Sequence, residues 1–167
     1  KSAIRIMKES GAHAVKLEGG KEVSESISKI INAGIPVMGH LGLTPQSIYK
    51  FGTYNVRGKN KIEADQLIED AQTLEKLGCF STVLEKIPHK LSEKISKKTK
   101  FPLIGIGAGN NVDGQVLVIH DLIGLTNEFN PRFIRRYLDL NSSIKSAVSQ
   151  FIKDVKSSDF PSKDEMY

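Results

Sequence analysis

Short apolar segments that end in glycine or polar residues recur along this 167-residue chain. Helix-like stretches separate the earlier ones, and this alternation is typical of parallel strands joined by helical crossovers. We therefore predict an α/β fold in which five such segments form the strands of one sheet. In chain order the segments read AVKLEGG, IPVMGHLG, STVLEKIP, FPLIGIGAG and QVLVIHDLIG.

Two stretches between these strands carry apolar residues at helical spacing and stop at a glycine, which commonly ends a helix. The first places Val23, Ile27, Ile30 and Ile31 on one face before Gly34. The second places Leu67, Ile68, Ala71, Leu74 and Leu77 on one face before Gly78. The predicted repeating unit is therefore strand, helix, strand.

After Asp121 the pattern becomes helical. Asn130 and Pro131 are predicted to open one helix. A second predicted helix has an apolar face made of Ile144, Val148, Phe151, Ile152 and Val155. Residues 157–167 have no periodicity and are predicted to be a C-terminal tail on a domain that covers 1–156.

Two connections depart from the repeating strand, helix, strand unit. A long excursion follows the second strand, with a short helix predicted to begin at Thr44 and Pro45 and then the loop FGTYNVRGKN. Excursions of this length are more often functional than structural. The link between GAG and QVLVIHD is too short for a full crossover helix, although one helical turn would fit.

Composition excludes several classes of protein. Hydrophobic residues make up 39% and charged residues 26%, which is ordinary for a globular protein, and no apolar run is long enough for a membrane helix. The first residues show no export signal. The net charge of +5 comes mainly from scattered lysines, and the densest run, 93–100, reads as a solvated helix end without the aromatics of a nucleic-acid binder. We expect neither a nucleic-acid nor a membrane partner.

Cys79 is the only cysteine of the chain, so no internal disulfide can form. Its neighbours are apolar, which predicts an inert, packed thiol. A chain without disulfides suits a reducing compartment. We predict the cytoplasm, or an organelle such as the mitochondrion if the source is eukaryotic.

Ionisable side chains stand at the ends of three predicted strands, where α/β folds place their sites. Lys16 and Glu18 are two apart and point to one face before two glycines. They form either a structural ion pair or a site in which Glu18 binds a hard cation and Lys16 binds a substrate carboxylate. Glu85 has apolar neighbours on both sides, so it is either a general base or acid or a helix-capping or surface residue. His40 either lines the site or satisfies backbone groups.

The segment GIGAGNNVDG resembles a nucleotide-binding loop only superficially. Its spacing fails G-x-G-x-x-G because residue 110 is Asn, and no Gly-Lys-Ser/Thr follows. Its glycines permit either a tight strand exit or close approach of the backbone to a ligand.

Five ordered motifs carry a resemblance to a known family. They are GAHAVKLEGG, GIPVMGHLGLTPQS, VLEKIP, IGIGAG followed by DGQVLVIHDLIGL, and PRF. From about residue 3 to residue 155 the chain resembles ketopantoate hydroxymethyltransferase. The resemblance implies a (β/α)₈ TIM barrel of the phosphoenolpyruvate mutase and isocitrate lyase type. It also implies transfer of a one-carbon unit from 5,10-methylenetetrahydrofolate to 3-methyl-2-oxobutanoate, giving 2-dehydropantoate for pantothenate and coenzyme A synthesis.

The resemblance also implies roles for particular residues. Lys16 would contact the keto acid, Glu18 would belong to a site for Mg²⁺ or another divalent cation, and Glu85 would be the proton acceptor. His40 would lie near the site without a defined role. The family is homo-oligomeric, and a decamer is implied. Lys86 replaces a residue that is often Cys in the family, and the FGTYNVRGKN loop departs from the family pattern.

The metal-binding aspartates of the family lie on first strands that have no counterpart in this sequence, so the chain is expected to be about the C-terminal two-thirds of the barrel. Two alternatives remain open. One is another Mg²⁺-dependent carbon–carbon bond enzyme that acts on 2-oxo acids. The other is a truncated, non-catalytic barrel module.

Overall fold

The computed structural model describes residues 1–128 and 130–167. They form two compact units, Lys1–Val116 and Leu117–Tyr167. The first unit contains the sheet and the second contains two α-helices. Among the described residues, none of the helices combines the length and the hydropathy needed to cross a membrane.

The sheet of the first unit has five strands, all parallel, in chain order. The strands are β1 (Val15–Glu18), β2 (Val37–Gly42), β3 (Ser81–Glu85), β4 (Leu103–Ile106) and β5 (Gly114–Gln115). The predicted parallel α/β sheet is therefore confirmed. Because every strand pairs with the strand before it, the order never reverses as it does in a doubly wound sheet.

The fifth strand is much shorter than predicted. Only Gly114 and Gln115 pair with β4, and Ile119–Leu122 is a short helix, α6. Val116 and Val118 are 46% and 50% exposed. An apolar run becomes a strand only where a neighbouring backbone accepts its hydrogen bonds, and after Val116 N–H donates to Gly105 the pairing stops. The one-turn helix allowed before β5 is not formed in residues 107–113.

Helices of the first unit include the two that were predicted from apolar periodicity, α2 and α4. They are α1 (Ser2–Ser10), α2 (Ser24–Asn32), α3 (Ile48–Phe51), α4 (Lys61–Leu77) and α5 (His89–Ser96). In α2 and α4 the fully buried side chains include Ile27 and Leu74, as their spacing predicts. Helix α4 ends at Gly78, whose φ of 93° is favourable only for glycine. The short helix predicted at Thr44 and Pro45 begins as a 3₁₀ turn, Pro45–Ser47, and continues as α3.

The two faces of the sheet differ in character. Val37 on β2 and Leu84 on β3 are fully buried on one face, in the core that includes Leu74 of α4. The other face carries alternate residues of the same strands, from Lys16 on β1 through His40 on β2 to Glu85 on β3. The alternation of strands thus places every candidate site residue on the face opposite the core.

Cys79 belongs to that core and is buried. Burial in apolar surroundings disfavours the thiolate and raises the pKa of the Cys79 thiol. The prediction of a packed thiol is therefore confirmed, and the raised pKa makes this sulfur a poor nucleophile.

In the second unit, α7 (Leu140–Lys156) is the helix predicted from the apolar spacing. The helix predicted to open at Asn130 and Pro131 is wrong, because the chain there makes a turn in which Ile134 N–H donates to Pro131. A backbone hydrogen bond from Tyr137 N–H to the carbonyl of Leu122 instead holds this segment beside α6. The chain gains no advantage from a helix where its N–H groups already have partners.

The apolar face of α7 is exposed within its own unit. Ile144, Val148, Phe151, Ile152 and Val155 are 45%, 52%, 53%, 45% and 46% exposed. In the segment predicted to be a tail, Phe160 packs edge-on against Phe151 with ring centroids 5.4 Å apart. A 3₁₀ turn, Lys163–Glu165, follows with a capping box at Ser162.

Candidate functional site

The carboxyl ends of β1, β2 and β3 bring all four candidate residues into one cluster. Lys16 Nζ lies 3.0 Å from His40 Nδ1, and Glu18 Oε1 lies 3.6 Å from the same nitrogen. On the other edge of the ring, His40 Nε2 lies 3.0 Å from Glu85 Oε2. His40 therefore occupies the centre of the cluster, which neither its spacing nor its neighbours in the sequence indicated.

Glu18 is more enclosed than a residue at a strand end usually is. Its side chain is 8% exposed, and its Oε2 accepts a hydrogen bond of 2.9 Å from Gln46 N–H. Gln46 lies in the turn that follows β2. The excursion after β2 thus closes over the carboxylate of β1, and Glu18 is not a simple ion pair with Lys16.

His40 is almost completely buried, with a side chain that is 4% exposed. Its Nε2 is close to Glu85, but the direction of approach falls short of a hydrogen bond, and this nitrogen has no other aligned partner among the described residues. A buried polar atom without an aligned partner is uncommon and requires an explanation, such as a catalytic role or a bound water or ion. Of the two predictions for His40, the geometry favours a residue of the cluster over one that satisfies backbone groups.

Glu85 is fixed through its backbone by β2 and β4. Its carbonyl accepts from Leu43 N–H at 2.8 Å, and a Cβ added to Gly42 would overlap that carbonyl oxygen. The φ of Gly42 is 94°, which only glycine adopts readily. Gly42 therefore lets β2 approach closely enough to seat the end of β3. The side chain of Glu85 remains 20% exposed.

Lys86, the residue after Glu85, has a φ of 50°, uncommon for a residue with a Cβ. Its carbonyl accepts from Arg57 N–H at 3.0 Å, and its Nζ donates to the backbone carbonyl of Tyr54 at 2.5 Å. Both partners belong to the FGTYNVRGKN loop, where Arg57 also lies 4.0 Å over the ring of Phe51. The loop predicted to be functional is thus tied to the residue beside Glu85.

A cavity of about 560 Å³ adjoins the cluster. It is lined by residues that include His40, Thr44, Phe51, Arg57 and Asp70. Asp70 lies on α4 and is 6% exposed, and its Oδ1 accepts hydrogen bonds of 3.0 Å from Lys21 N–H and from Gln66. Burial disfavours its charged form and raises the pKa of the Asp70 carboxyl.

The glycine-rich segment after β4 is a tight exit. A Cβ on Gly109, whose φ is 85°, would overlap the His89 side chain at the start of α5. Ser92 Oγ in the same helix donates to Ala108. Of the two interpretations of these glycines, the structure favours close packing of the loop on α5.

The residues present fit a divalent cation only in part. Glu18 offers a carboxylate, the hard oxygen ligand that Mg²⁺ prefers. Within the described residues, no group of three or more His, Cys, Asp or Glu side chains is arranged to hold a metal ion. Glu18 can therefore supply one ligand of a site that needs others.

An all-parallel sheet in sequential order, with charged side chains gathered at its carboxyl end, is the arrangement in which α/β proteins carry their sites. The family model for ketopantoate hydroxymethyltransferase matches residues 1–163, and the chain belongs to this family. The resemblance carried by its five motifs is thereby confirmed.

Bacterial relatives agree with this assignment. The chain is 69% identical over 167 residues to a 3-methyl-2-oxobutanoate hydroxymethyltransferase of Flavobacterium johnsoniae, covering 100% of this chain and 61% of that protein. A protein of the same name from Christiangramia forsetii is 65% identical with the same coverage. The chain therefore spans about three fifths of the length of the curated relatives it matches.

Among solved structures, the YdjI aldolase from Escherichia coli K12 is similar at a TM-score of 0.42 and 16% identity. The similarity covers 71% of this chain and 49% of that one. A TM-score of this size is below the level that indicates a common fold.

Proposed function

We propose that this chain is part of an enzyme that transfers a hydroxymethyl group to 3-methyl-2-oxobutanoate, with 5,10-methylenetetrahydrofolate as the one-carbon donor. The observation that carries the proposal is the cluster at the ends of β1 to β3, in which a lysine, two carboxylates and a buried histidine meet. Membership of the family supports it. Cytoplasmic synthesis of 2-dehydropantoate is the corresponding role.

In this proposal Lys16 binds the carboxylate of the keto acid. An ammonium group has three N–H donors and no acceptor, and one of the three faces His40 at 3.0 Å. The others are available because the residue is exposed. Lys16 thus holds the substrate while it stays in contact with the centre of the cluster.

Glu85 is the proposed general base. It would take the proton from C3 of the keto acid, which leaves a carbanion stabilised as the enolate by the adjacent keto group. C3 then forms the new bond to the methylene carbon of the donor; the two carbon–nitrogen bonds that held this carbon break, water supplies the hydroxyl oxygen, and tetrahydrofolate leaves. A carboxylate that is 20% exposed, with its backbone fixed between two strands, can meet a substrate atom without losing its position.

Glu18 would provide one ligand of the proposed Mg²⁺ site. The ion would supply Lewis-acid stabilisation of the enolate oxygen when bound. Glu18 itself is preorganised, because Gln46 N–H fixes one of its oxygens. The remaining ligands would come from the part of the relatives that this chain does not span.

We extend the proposal to the architecture. Sequential parallel pairing without reversal is what a (β/α)₈ barrel requires. The proposed fold is a TIM barrel of the phosphoenolpyruvate mutase and isocitrate lyase type, assembled as a homo-oligomer. The five strands would form one side of the barrel, with the cluster on its inner face.

The test of the proposed function is Glu85→Gln in the chain extended to the length of its relatives. Removing a general base lowers the rate by about 10² to 10⁴, so exchange of deuterium into C3 should be lost at that level while the keto acid still binds. Glu93→Gln, at an exposed helical glutamate paired with Lys97, is the control. Exchange at the normal rate in Glu85→Gln would exclude Glu85 as the base.

A further inference from the structure

We propose that His40 is a positioning residue that accepts a hydrogen bond from Lys16 at Nδ1, carries its ring proton on Nε2 and presents that proton to Glu85. The inference rests on the proposed function in one respect, the role of Glu85 as the base. The tautomer itself follows from the arrangement of the cluster and can be tested separately.

The first step assigns the tautomer. Lys16 Nζ lies 3.0 Å from His40 Nδ1, and an ammonium group can only donate hydrogen bonds. Nδ1 must therefore be the acceptor, with its lone pair directed at Lys16. With Nδ1 unprotonated, the ring proton resides on Nε2.

The second step names the groups around the ring. Lys16 and Glu18 on β1 and Glu85 on β3 are the charged groups that the structure places within 4 Å of the ring nitrogens. A proton on Nδ1 would be directed at the Lys16 ammonium, 3.0 Å away, whereas a proton on Nε2 is directed towards the Glu85 carboxylate. The arrangement therefore favours the Nε2–H tautomer.

The third step is the consequence for Glu85. Nε2–H is buried and lies 3.0 Å from Oε2 without hydrogen-bond alignment. A rotation of the carboxyl group completes a charge-assisted hydrogen bond at this oxygen. Oε1 then remains free to take the proton from the substrate. Lys16 and Glu85 are thus connected through one ring. Binding of the substrate by Lys16 therefore affects the hydrogen bond that Glu85 accepts from His40.

Two substitutions separate the two edges of the ring. In His40→Gln the side-chain amide nitrogen reaches the position of Nε2 and can still donate to Glu85. In His40→Asn the shorter amide reaches only the position of Nδ1, so Lys16 keeps an acceptor and Glu85 loses its donor. His13→Gln, at an exposed histidine outside the cluster, is the matched control.

The experiment uses the chain extended to the length of its relatives and measures deuterium exchange at C3 of 3-methyl-2-oxobutanoate. We expect His40→Asn to lower kcat by up to about 100-fold, the effect of displacing a catalytic group by roughly 1 Å, with a nearly unchanged KM. His40→Gln should keep a kcat much closer to that of the wild type, because its amide still donates to Glu85. Equal rates for Asn and Gln in folded proteins would overturn the positioning role.

Nitrogen NMR of ¹⁵N-histidine-labelled wild-type protein tests the tautomer without any variant. We expect His40 to show a protonated Nε2 and an unprotonated Nδ1, and Lys16→Met to remove the preference. A proton on Nδ1 in the wild type would overturn the inference even if Glu85→Gln abolishes exchange. If Glu85→Gln leaves exchange intact while the tautomer is as expected, the role of Glu85 fails and the assignment of the ring stands.

Discussion

At the scale of single residues, the site depends on a few side chains that face away from the core. Lys16, Glu18, His40 and Glu85 occur at strand ends, and the topology of a parallel sheet is enough to predict that they lie near one another. Their contacts were not predictable, because the distance from His40 to each neighbour depends on the register of β1, β2 and β3.

Asp70 is a residue that the sequence analysis missed although a signal was present. It lies three positions after Leu67 and four before Leu74, so helical spacing puts it on the buried face of α4. A carboxyl group on such a face needs partners, and it has them in Lys21 N–H and Gln66. A polar residue inside an apolar helical stripe is therefore a better indicator of a buried hydrogen bond than of a surface position.

We predict that Asp70 gives the fold a stability that decreases as pH rises. Burial raises the pKa of its carboxyl above the ordinary 3.8, so the folded state binds this proton more tightly than the unfolded state. The contribution is fully present below the unfolded pKa and is lost as pH rises through the folded pKa. Asp70→Asn should remove this dependence in urea denaturation series run from pH 3 to pH 7.

The control for Asp70 is Glu93→Gln. Hydrogen bonding and the charge of Lys97 lower the pKa of the exposed Glu93 carboxyl, so its contribution has the opposite sign and is lost as pH falls. If wild type and Asp70→Asn keep a constant difference in unfolding free energy across the series, the carboxyl is not perturbed in the way burial requires. Asp70→Ala should cost about 1 kcal/mol, because Lys21 N–H loses its acceptor.

At the scale of elements, the strands and helices with strong periodicity were predicted well and the others were not. Helix α4 has an apolar stripe, a side-chain cap from Asn60 and a terminal glycine, and all of these signals agree. The run after Gln115 has the composition of a strand but lies where pairing stops. Strand formation depends on a partner, and no property of the run itself reports whether a partner is there.

We predict that Gly42→Ala destabilises the protein more than Gly52→Ala does. Both glycines have positive φ values, 94° and 65°, so each substitution carries about 1 to 2 kcal/mol of backbone strain. Gly52 has open space around it, whereas a Cβ on Gly42 would overlap the carbonyl oxygen of Glu85. The overlap should add about 1 to 3 kcal/mol, and it should displace Glu85.

Urea denaturation of both variants measures the difference in stability, and C3 exchange measures the displacement. Gly52→Ala serves as the control because it shares the strain and lacks the overlap. Equal losses of stability in the two variants would mean that β2 and β3 are not held in close contact at Gly42, and that Glu85 is fixed by other means.

At the scale of the whole chain, apolar surface remains uncovered. Met38, Ile104 and Ile106 are only half-buried on the face of the sheet that carries the cluster, and the apolar face of α7 is exposed in its unit. Each Å² of apolar surface left in water forgoes about 25 cal/mol. The curated relatives have more chain than this, since 167 residues cover 61% of the first of them.

We predict that the 167-residue chain alone binds Mg²⁺ weakly, is poorly stable and does not transfer a hydroxymethyl group. Supplying the remaining segment of a relative, on the same chain or as a second one, should raise the thermal midpoint and restore Mg²⁺ binding and hydroxymethyl transfer. Calorimetry with Mg²⁺ and a hydroxymethyl transfer assay make the comparison, with a mixture that contains an unrelated chain as the control. Transfer at full rate by the 167 residues alone would show that the cluster needs no further ligands.

The order of the strands in the sheet has a consequence for the growing chain on the ribosome. Every strand pairs with the one synthesised just before it. Each new pairing therefore closes a loop of moderate length and does not require any strand that is synthesised later. Lys16, Glu18, His40 and Glu85 all belong to the first three strands. The cluster can therefore assemble before β4 and β5 pair with the sheet, and these two strands then add next to polar groups that are already in place.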